Sequence, residues 1–292
     1  METLDEITGY EVLGTLGYGA LSTIFAVKDK DDHVYALKRV VKESSKDQRF
    51  IDQAIHEHEV ASQFNHPALR RSYKLIRNRK LLRVHEVLVL MELVDGAILE
   101  QHRPESLTEL CQLMQRVAEG LGAMHEAGWV HADIKPKNIL VTDRHAVKLI
   151  DFGQSCPVGT VKQRIQGTPD YIAPEQVLRH AISPQTDVFN LGATMYWLLT
   201  NRHFPTLIPK AESENSLTTP ETVKSPAEID PAVPTALSSL VMHCVKTDPS
   251  DRPSSMVAVH ERLELAITQI SRAGDSGKQA TDSPPEEEKA AV

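Results

Sequence analysis

The sequence is poor in cysteine, has no surplus of basic residues and contains no long apolar run. Its three cysteines, Cys111, Cys156 and Cys244, are an odd number, far apart and without a Cys-x-x-Cys pair. That excludes a disulfide framework and a cysteine-based zinc site, and it fits a reducing compartment. The longest stretch free of Asp, Glu, Lys and Arg in the apolar part of the C-terminal half is the 14 residues from Val188 to Asn201. A membrane-spanning helix needs ~20. The opening METLDEITGYE is acidic and lacks the apolar core of a signal peptide. With 32 Lys and Arg against 40 Asp and Glu, the net charge of −8 argues against a nucleic-acid binder. The expectation is a cytoplasmic protein with no membrane span and no nucleic-acid partner.

What is present is a globular composition. The 292 residues are 41% hydrophobic and 25% charged, enough apolar surface to offset chain entropy over a sizeable core, which excludes an intrinsically disordered chain. The negative charge is unevenly placed. Residues 210–230 carry −3 and residues 273–292 carry another −3, leaving −2 for everything else.

Along the first ninety residues the pattern is that of strands. Tyr10 to Leu16 and Ile24 to Lys28 flank a glycine pair, and Val34 to Val41 follows the turn signal Asp29-Lys-Asp-Asp32. Residues 46–64 carry apolar side chains at helical spacing. Two more strand-like runs, Ser72 to Ile76 and Leu81 to Leu93, are joined by the polar Arg77-Asn-Arg-Lys80, which reads as a turn. Beyond Gly96 the period becomes helical. Leu107, Leu110, Leu113, Val117, Leu121 and Met124 mark one amphipathic helix behind the capping-box signature Ser106-Leu-Thr-Glu109. Further apolar helices are predicted near 187–200 and 235–246. Proline-rich 205–234 is predicted to be a long surface loop and 273–292 a disordered tail. Strands first and helices after imply an α+β chain in two lobes.

The chemistry concentrates in His131-Ala-Asp-Ile-Lys-Pro-Lys-Asn138 and Asp151-Phe-Gly153. Phosphoryl transfer needs metal-neutralised phosphates, an oriented acceptor hydroxyl and charge stabilisation of the moving group. Asp133 could orient an acceptor's proton. Asn138 and Asp151 could offer hard oxygen ligands to Mg²⁺, and Lys135 a charge beside the transferring group.

From about Tyr10 to Arg252 the chain resembles the eukaryotic-type (Hanks-type) serine/threonine protein kinase catalytic domain. HADIKPKN resembles the catalytic loop, IDFG the metal-binding motif and GTPDYIAPE (Gly167 to Glu175) the end of the activation segment. Leu16-Gly-Tyr-Gly-Ala-Leu-Ser-Thr-Ile24 resembles the glycine-rich loop, and Tyr35-Ala-Leu-Lys38 the strand bearing the phosphate-pairing lysine. The resemblance implies a bilobal kinase-like fold. A small antiparallel-sheet lobe with one main helix would span residues 1–93, and a larger, mostly helical lobe residues 94–272, followed by the tail.

It also implies roles. Asp133, Lys135 and Lys38 would be catalytic, and Asn138 and Asp151 would bind the metal. ATP would lie among Leu16, Gly17, Gly19, Ile24, Ala36, Met91 and Leu140, with backbone contacts from Glu92 and Val94. Lys38 would pair with a helix glutamate. Glu57 and Glu59 compete, but i,i+2 residues face apart on a helix, and the spacing to Asn65-His-Pro67 favours Glu57. Asp187 would prop the catalytic loop, Arg252 would pair with Glu175, and Thr168 would sit near Asp133 and Lys135. Lys135 and Thr168 point to Ser/Thr acceptors on protein substrates, autophosphorylation among them.

Two departures stand out. Ser22 replaces the third loop glycine. Ala132 replaces the arginine that in the family clamps an activation-segment phosphate, which makes this a non-RD loop and implies independence from such a clamp. Ser155, Thr160 and Thr168 are the hydroxyls of that segment, with Lys162 and Arg164 near them.

The alternative reading is a pseudokinase-like scaffold, opposed by the presence of Lys38, Asp133, Asn138 and Asp151. A small-molecule phosphotransferase is opposed by GTPDYIAPE. The basic run Arg70, Arg71, Lys74, Arg77, Arg79, Lys80 and Arg83 reads as a solvated hairpin or as a docking patch for an acidic segment such as Glu286-Glu-Glu288. His56-Glu-His58 is not expected to bind metal, because the two imidazoles diverge on a helix. Gly274-Asp-Ser-Gly277 has no oriented histidine beside it.

Overall fold

The computed structural model describes residues 6–19, 21–80, 83–208 and 223–281. Its first half is one antiparallel sheet made of β1 (Glu6–Ile7), β2 (Tyr10–Gly19), β3 (Ser22–Lys28), β4 (Val34–Val41), β5 (Ser72–Lys80) and β6 (Arg83–Glu92), in the order β1-β2-β3-β4-β6-β5. Side chains alternate between faces with a period of two. Phe25, Val27, Leu37, Leu88 and Leu90 therefore fill one face, while Ala36, Val40, Val87, Val89 and Met91 fill the other. On that second face lies α1 (Gln48–Ala61), whose Ile51 and Ala54 join the same cluster. Lys38 shares the parity of Ala36 and Val40, so its ammonium is delivered to the α1 side of the sheet. That register brings the two lobes' chemistry together.

One expectation fails here. Arg77-Asn-Arg-Lys80 is not a turn but the end of β5, paired Arg77 to Val87, Asn78 to Glu86, Arg79 to Val84 and Lys80 to Arg83. Main-chain pairing is indifferent to charged side chains that point into water, and β5 is an edge strand, where such charges deter intermolecular pairing. Polarity was the wrong signal for a turn at an edge.

The second half is helical. α2 (Leu107–Glu126) begins where Ser106 Oγ accepts the Glu109 N–H at 3.1 Å. The Glu109 carboxylate then takes the Glu105 N–H at 2.8 Å rather than that of Ser106, so the predicted reciprocal cap is displaced by one residue. β7 (Ala97–Ile98), β9 (Ile139–Val141) and β10 (Val147–Leu149) form a small sheet under the cleft, and β8 (Trp129–Val130) pairs with β11 (Cys156–Pro157). α3 (Pro174–Leu178) precedes α4 (Pro184–Thr200), which is buried nearly all round from Thr186 to Trp197. α5 (Pro226–Ile229) and α6 (Thr235–Cys244) pack on α4, and α7 (Met256–Thr281) packs on α2 and α6.

α7 runs past residue 272, into the segment predicted to be disordered. Extending a helix already docked on α2 costs far less than nucleating one. Residues 282–292 of that segment lie outside the described residues, as do 209–222 of the predicted proline-rich loop. Among the described residues no helix is long and apolar enough to cross a membrane.

Candidate active site

The catalytic-loop motif follows β8 and is held from below by α4. Asp187, fully buried, accepts the His131 N–H at 2.8 Å, the Ala132 N–H at 2.7 Å and a hydrogen bond from His125 Nε2 at 2.9 Å. These bonds stabilise Ala132 in the left-handed region, φ 62°, an uncommon conformation for a residue with a Cβ. The turn presents Asp133 to the cleft. Its Oδ1 accepts from Thr168 Oγ1 at 2.8 Å and its Oδ2 from Lys135 Nζ at 2.7 Å. Lys135 Nζ also donates to Thr168 Oγ1 at 2.6 Å, closing a three-residue ring. Asn138 Nδ2 donates to the Asp133 carbonyl at 2.8 Å, which ties the end of the motif to its start.

Across the cleft, Lys38 Nζ meets Glu57 Oε2 at 2.5 Å, and Glu57 is only 3% exposed. Glu59 points to solvent and reaches Arg77 at 3.7 Å. A second cation, missed in the sequence, holds the other oxygen of Glu57: Arg70 Nη2 lies 3.3 Å from Oε1. Arg70 was hidden inside a run of bases with no local mark to separate it from its neighbours. Two cations on one buried carboxylate fix α1 against the sheet more firmly than one would, because the buried charge is compensated on both oxygens.

Around the space between these groups, Ala36 and Met91 are buried, Ile24, Leu140 and Val94 are half-buried, and Leu16 is exposed. The Glu92 N–H is taken by the Arg71 carbonyl at 3.0 Å, so only its carbonyl could face a base. Its carboxylate is bound to Lys148 Nζ at 2.8 Å. The Val94 main chain makes no hydrogen bond among the described residues. In the glycine-rich strands, a Cβ on Gly17 would meet nothing within 4 Å, whereas one on Gly19 would stand 2.6 Å from Ser22 Oγ. With serine at the third glycine position, a side chain at position 19 would meet its hydroxyl, while the space at Gly17 stays open.

The oxygens expected to hold a divalent cation fit that task. Asn138 spends its amide N–H groups on Asp133, and its Oδ1 has no donor among the described residues. Among the described residues Asp151, with φ 65°, takes only the Gly153 N–H, on Oδ1 at 3.4 Å. Hard oxygen donors with free lone pairs are what Mg²⁺ selects. Phe152 behind it is buried and lies 5.5 Å from the His131 ring, which keeps Asp151 facing the cleft.

Beyond the cleft, Glu175 and Arg252 form a bidentate pair at 2.8 and 2.9 Å, and Thr186 Oγ1 donates to Glu175 at 2.8 Å. Ser155, one of the candidate hydroxyls of the activation segment, is buried with Oγ donating to the His131 carbonyl at 3.3 Å, so it is not offered for modification. Thr160 lines a cavity of about 640 Å³ together with Lys162 and Arg164. Burial lowers the Lys162 pKa, since its ammonium has lost water and donates to the neutral Gln154 carbonyl at 2.5 Å, while the charges of Cys156 and Asp133 offset only part of that loss.

His56 and His58 diverge as expected, one to the Ser155 carbonyl at 2.7 Å and the other to Ser72 Oγ at 2.8 Å. Of the basic run, Arg70 and Arg77 are spent on Glu57 and Glu59, and Arg71 bonds Asn65. Lys74, Arg79, Lys80 and Arg83 are exposed.

A carboxylate ringed by a lysine and a threonine, a lysine–glutamate pair and oxygen donors with lone pairs to spare make up the kind of donor set that phosphoryl transfer calls for. The chain belongs to the protein kinase domain family, whose model matches residues 10–263. Among similar proteins, the serine/threonine-protein kinase PknL of Mycobacterium tuberculosis is 30% identical over 89% of this chain and 66% of its own length. An Aurora kinase of Saccharomyces cerevisiae is 31% identical over 83% of this chain and 65% of its own. The serine/threonine-protein kinase PknA of Mycobacterium tuberculosis is 31% identical over 64% of this chain and 46% of its own. This chain therefore spans just under two thirds of PknL and of the Aurora kinase.

Proposed function

We propose that the chain is a serine/threonine protein kinase that transfers the γ-phosphate of ATP to hydroxyls of protein substrates, with Mg²⁺ as cofactor. The observation that carries this reading is the Asp133–Lys135–Thr168 ring, because it joins the catalytic loop to the segment that would seat a peptide. Asp133 accepts the proton of the acceptor hydroxyl as its oxygen attacks phosphorus, and ADP departs as the β–γ bridging bond breaks. Lys135 stabilises charge on the group in transit, and Lys38, held by Glu57, pairs with the α- and β-phosphates. Mg²⁺, when bound through Asn138 and Asp151, neutralises phosphate charge.

Ala132 has no side-chain donor, so the site is a non-RD one and works without a phosphate pinned to the catalytic loop. The scaffold reading finds less support, since Lys38, Asp133, Asn138 and Asp151 are all present.

The experiment is Mg²⁺-dependent phosphate incorporation into a generic Ser/Thr protein, with phosphatase-treated enzyme, comparing wild type, Thr160→Ala, Lys38→Met and Asp133→Asn. Wild type and Thr160→Ala are expected to be comparably active, and the other two slower by roughly 100-fold or more. Wild-type incorporation no higher than that of Asp133→Asn overturns the kinase reading in favour of a scaffold. Loss of activity in Thr160→Ala overturns only the phosphate independence.

A further inference from the structure

Ala132 is held from two sides. Its N–H is taken by Asp187, and its carbonyl accepts from Gln176 Nε2 at 2.8 Å. Gln176, in the first turn of α3, is 3% exposed and uses its whole carboxamide. The second Nε2 proton goes to the Gln166 carbonyl at 3.2 Å, and Oε1 accepts the Ala173 N–H at 2.9 Å and Asn190 Nδ2 at 3.2 Å. Two carbonyls on the nitrogen side and two N–H donors on the oxygen side permit only one orientation of the amide, and they saturate it.

The approach is close. At Gly167, φ 133°, a Cβ would stand 3.1 Å from Gln176 Nε2, so the glycine leaves room for the amide. One residue further on is Thr168, which bonds both Asp133 and Lys135. The carboxamide therefore clasps the residue before Asp133 and the segment before Thr168 at once.

We propose that Gln176 is a positioning residue that locks the catalytic loop to the Thr168 segment through a neutral, buried carboxamide. The contact supplies the link for which the resemblance leads one to expect an arginine at position 132 and a phosphate. The clasp needs no phosphate. This inference rests on the kinase reading and deepens it. Glutamate at this position would set a carboxylate against two carbonyls, methionine would keep the volume without any hydrogen bond, and asparagine would fall one methylene short.

The test compares phosphatase-treated wild type, Gln176→Glu, Gln176→Met, Thr168→Ala and the Thr168→Ala/Gln176→Met double variant. For the Gln176 variants, one ADP is expected to bind per chain with an affinity within about 2-fold of wild type, while kcat falls roughly 10- to 100-fold. Because Gln176 acts through Thr168, the double variant is expected to be no slower than Thr168→Ala alone, within about 2-fold. Unchanged kcat in Gln176→Met, fully additive losses in the double variant, or loss of ADP stoichiometry together with kcat each overturn the positioning role. If wild type transfers no phosphate the kinase reading falls, and hydrogen exchange then decides the clasp. Exchange at residues 131–133 and 166–168 should quicken in Gln176→Met and nowhere in β1–β6, and identical exchange refutes it.

Discussion

Replacing Arg252 by methionine tests the buried Glu175–Arg252 charge pair of the helical lobe. The Arg252 side chain is fully buried and Glu175 is 4% exposed. Besides the bidentate pair, the guanidinium donates to the carbonyls of Lys246 and Gln185 at 2.8 Å and of Thr247 at 3.0 Å, and lies over the Phe189 ring at 5.0 Å. Methionine keeps the contact with Phe189 but, among the described residues, strands Glu175 with only Thr186 Oγ1 and takes from the Lys246 and Thr247 carbonyls, which lie outside any helix, the donors that Arg252 supplied. Removing one partner of such a pair costs about 3–5 kcal/mol. At roughly 2–4 °C per kcal/mol, Tm should fall by about 10 °C. Urea unfolding monitored by two probes, checked for coincidence, gives the free energy. The Glu175→Gln/Arg252→Met double variant removes the orphaned charge and should be at least about 1 kcal/mol more stable than the sum of single losses implies. Arg252→Met within about 1 kcal/mol of wild type, or strict additivity in the double variant, would refute the reasoning.

Two further outcomes follow from packing and burial. A Cβ on Gly192 would lie 2.4 Å from Cys244 Cβ and 3.0 Å from Val245 Cγ1, so Gly192→Ala should force α4 and α6 apart and destabilise by about 2 kcal/mol or more; a Tm within 2 °C of wild type would contradict it. Burial pushes the Cys111 and Cys244 thiols up to about 12 and raises Cys156 as well, so none should react with a disulfide reagent at pH 8 until the chain is unfolded. The folded thiols hold protons that unfolded thiols release. Their contribution is therefore fully present below about pH 8.5 and is lost as pH rises towards 12, by up to about 1.4 kcal/mol per pH unit for each thiol. Denaturant midpoints that stay flat between pH 9 and 11, or rapid native-state labelling, would count against this.

Much of the architecture was legible because it is written in short periods. The alternation in Val34–Val41 and the three-to-four spacing of Leu107–Met124 each need only a few neighbouring residues to declare themselves. The partners of Lys38, Glu175 and Thr168 were legible for another reason: their motifs resemble those of a known family and stand in its order. Arg77–Lys80 was misread because charge on an edge strand looks like a turn. Ser155 looked available because its burial depends on the path of Phe152 and His131. Arg70 and Gln176 carried no local signal, since one stood among other bases and the other directly after a motif that drew attention to itself.

By itself, the sequence determined which chemical groups this chain owns, which residues alternate or recur, and that it is a kinase-like bilobal chain. Tertiary structure alone decided which hydrogen bonds those groups make. Glu57 gains a second cation only because Arg70 comes back beside α1, and Gln176 reaches Ala132 only because α3 is pressed against the catalytic loop by α4. A propensity or a motif is a property of neighbours along the chain. A saturated buried carboxamide is a property of groups brought together by core packing, and no window of sequence contains them all.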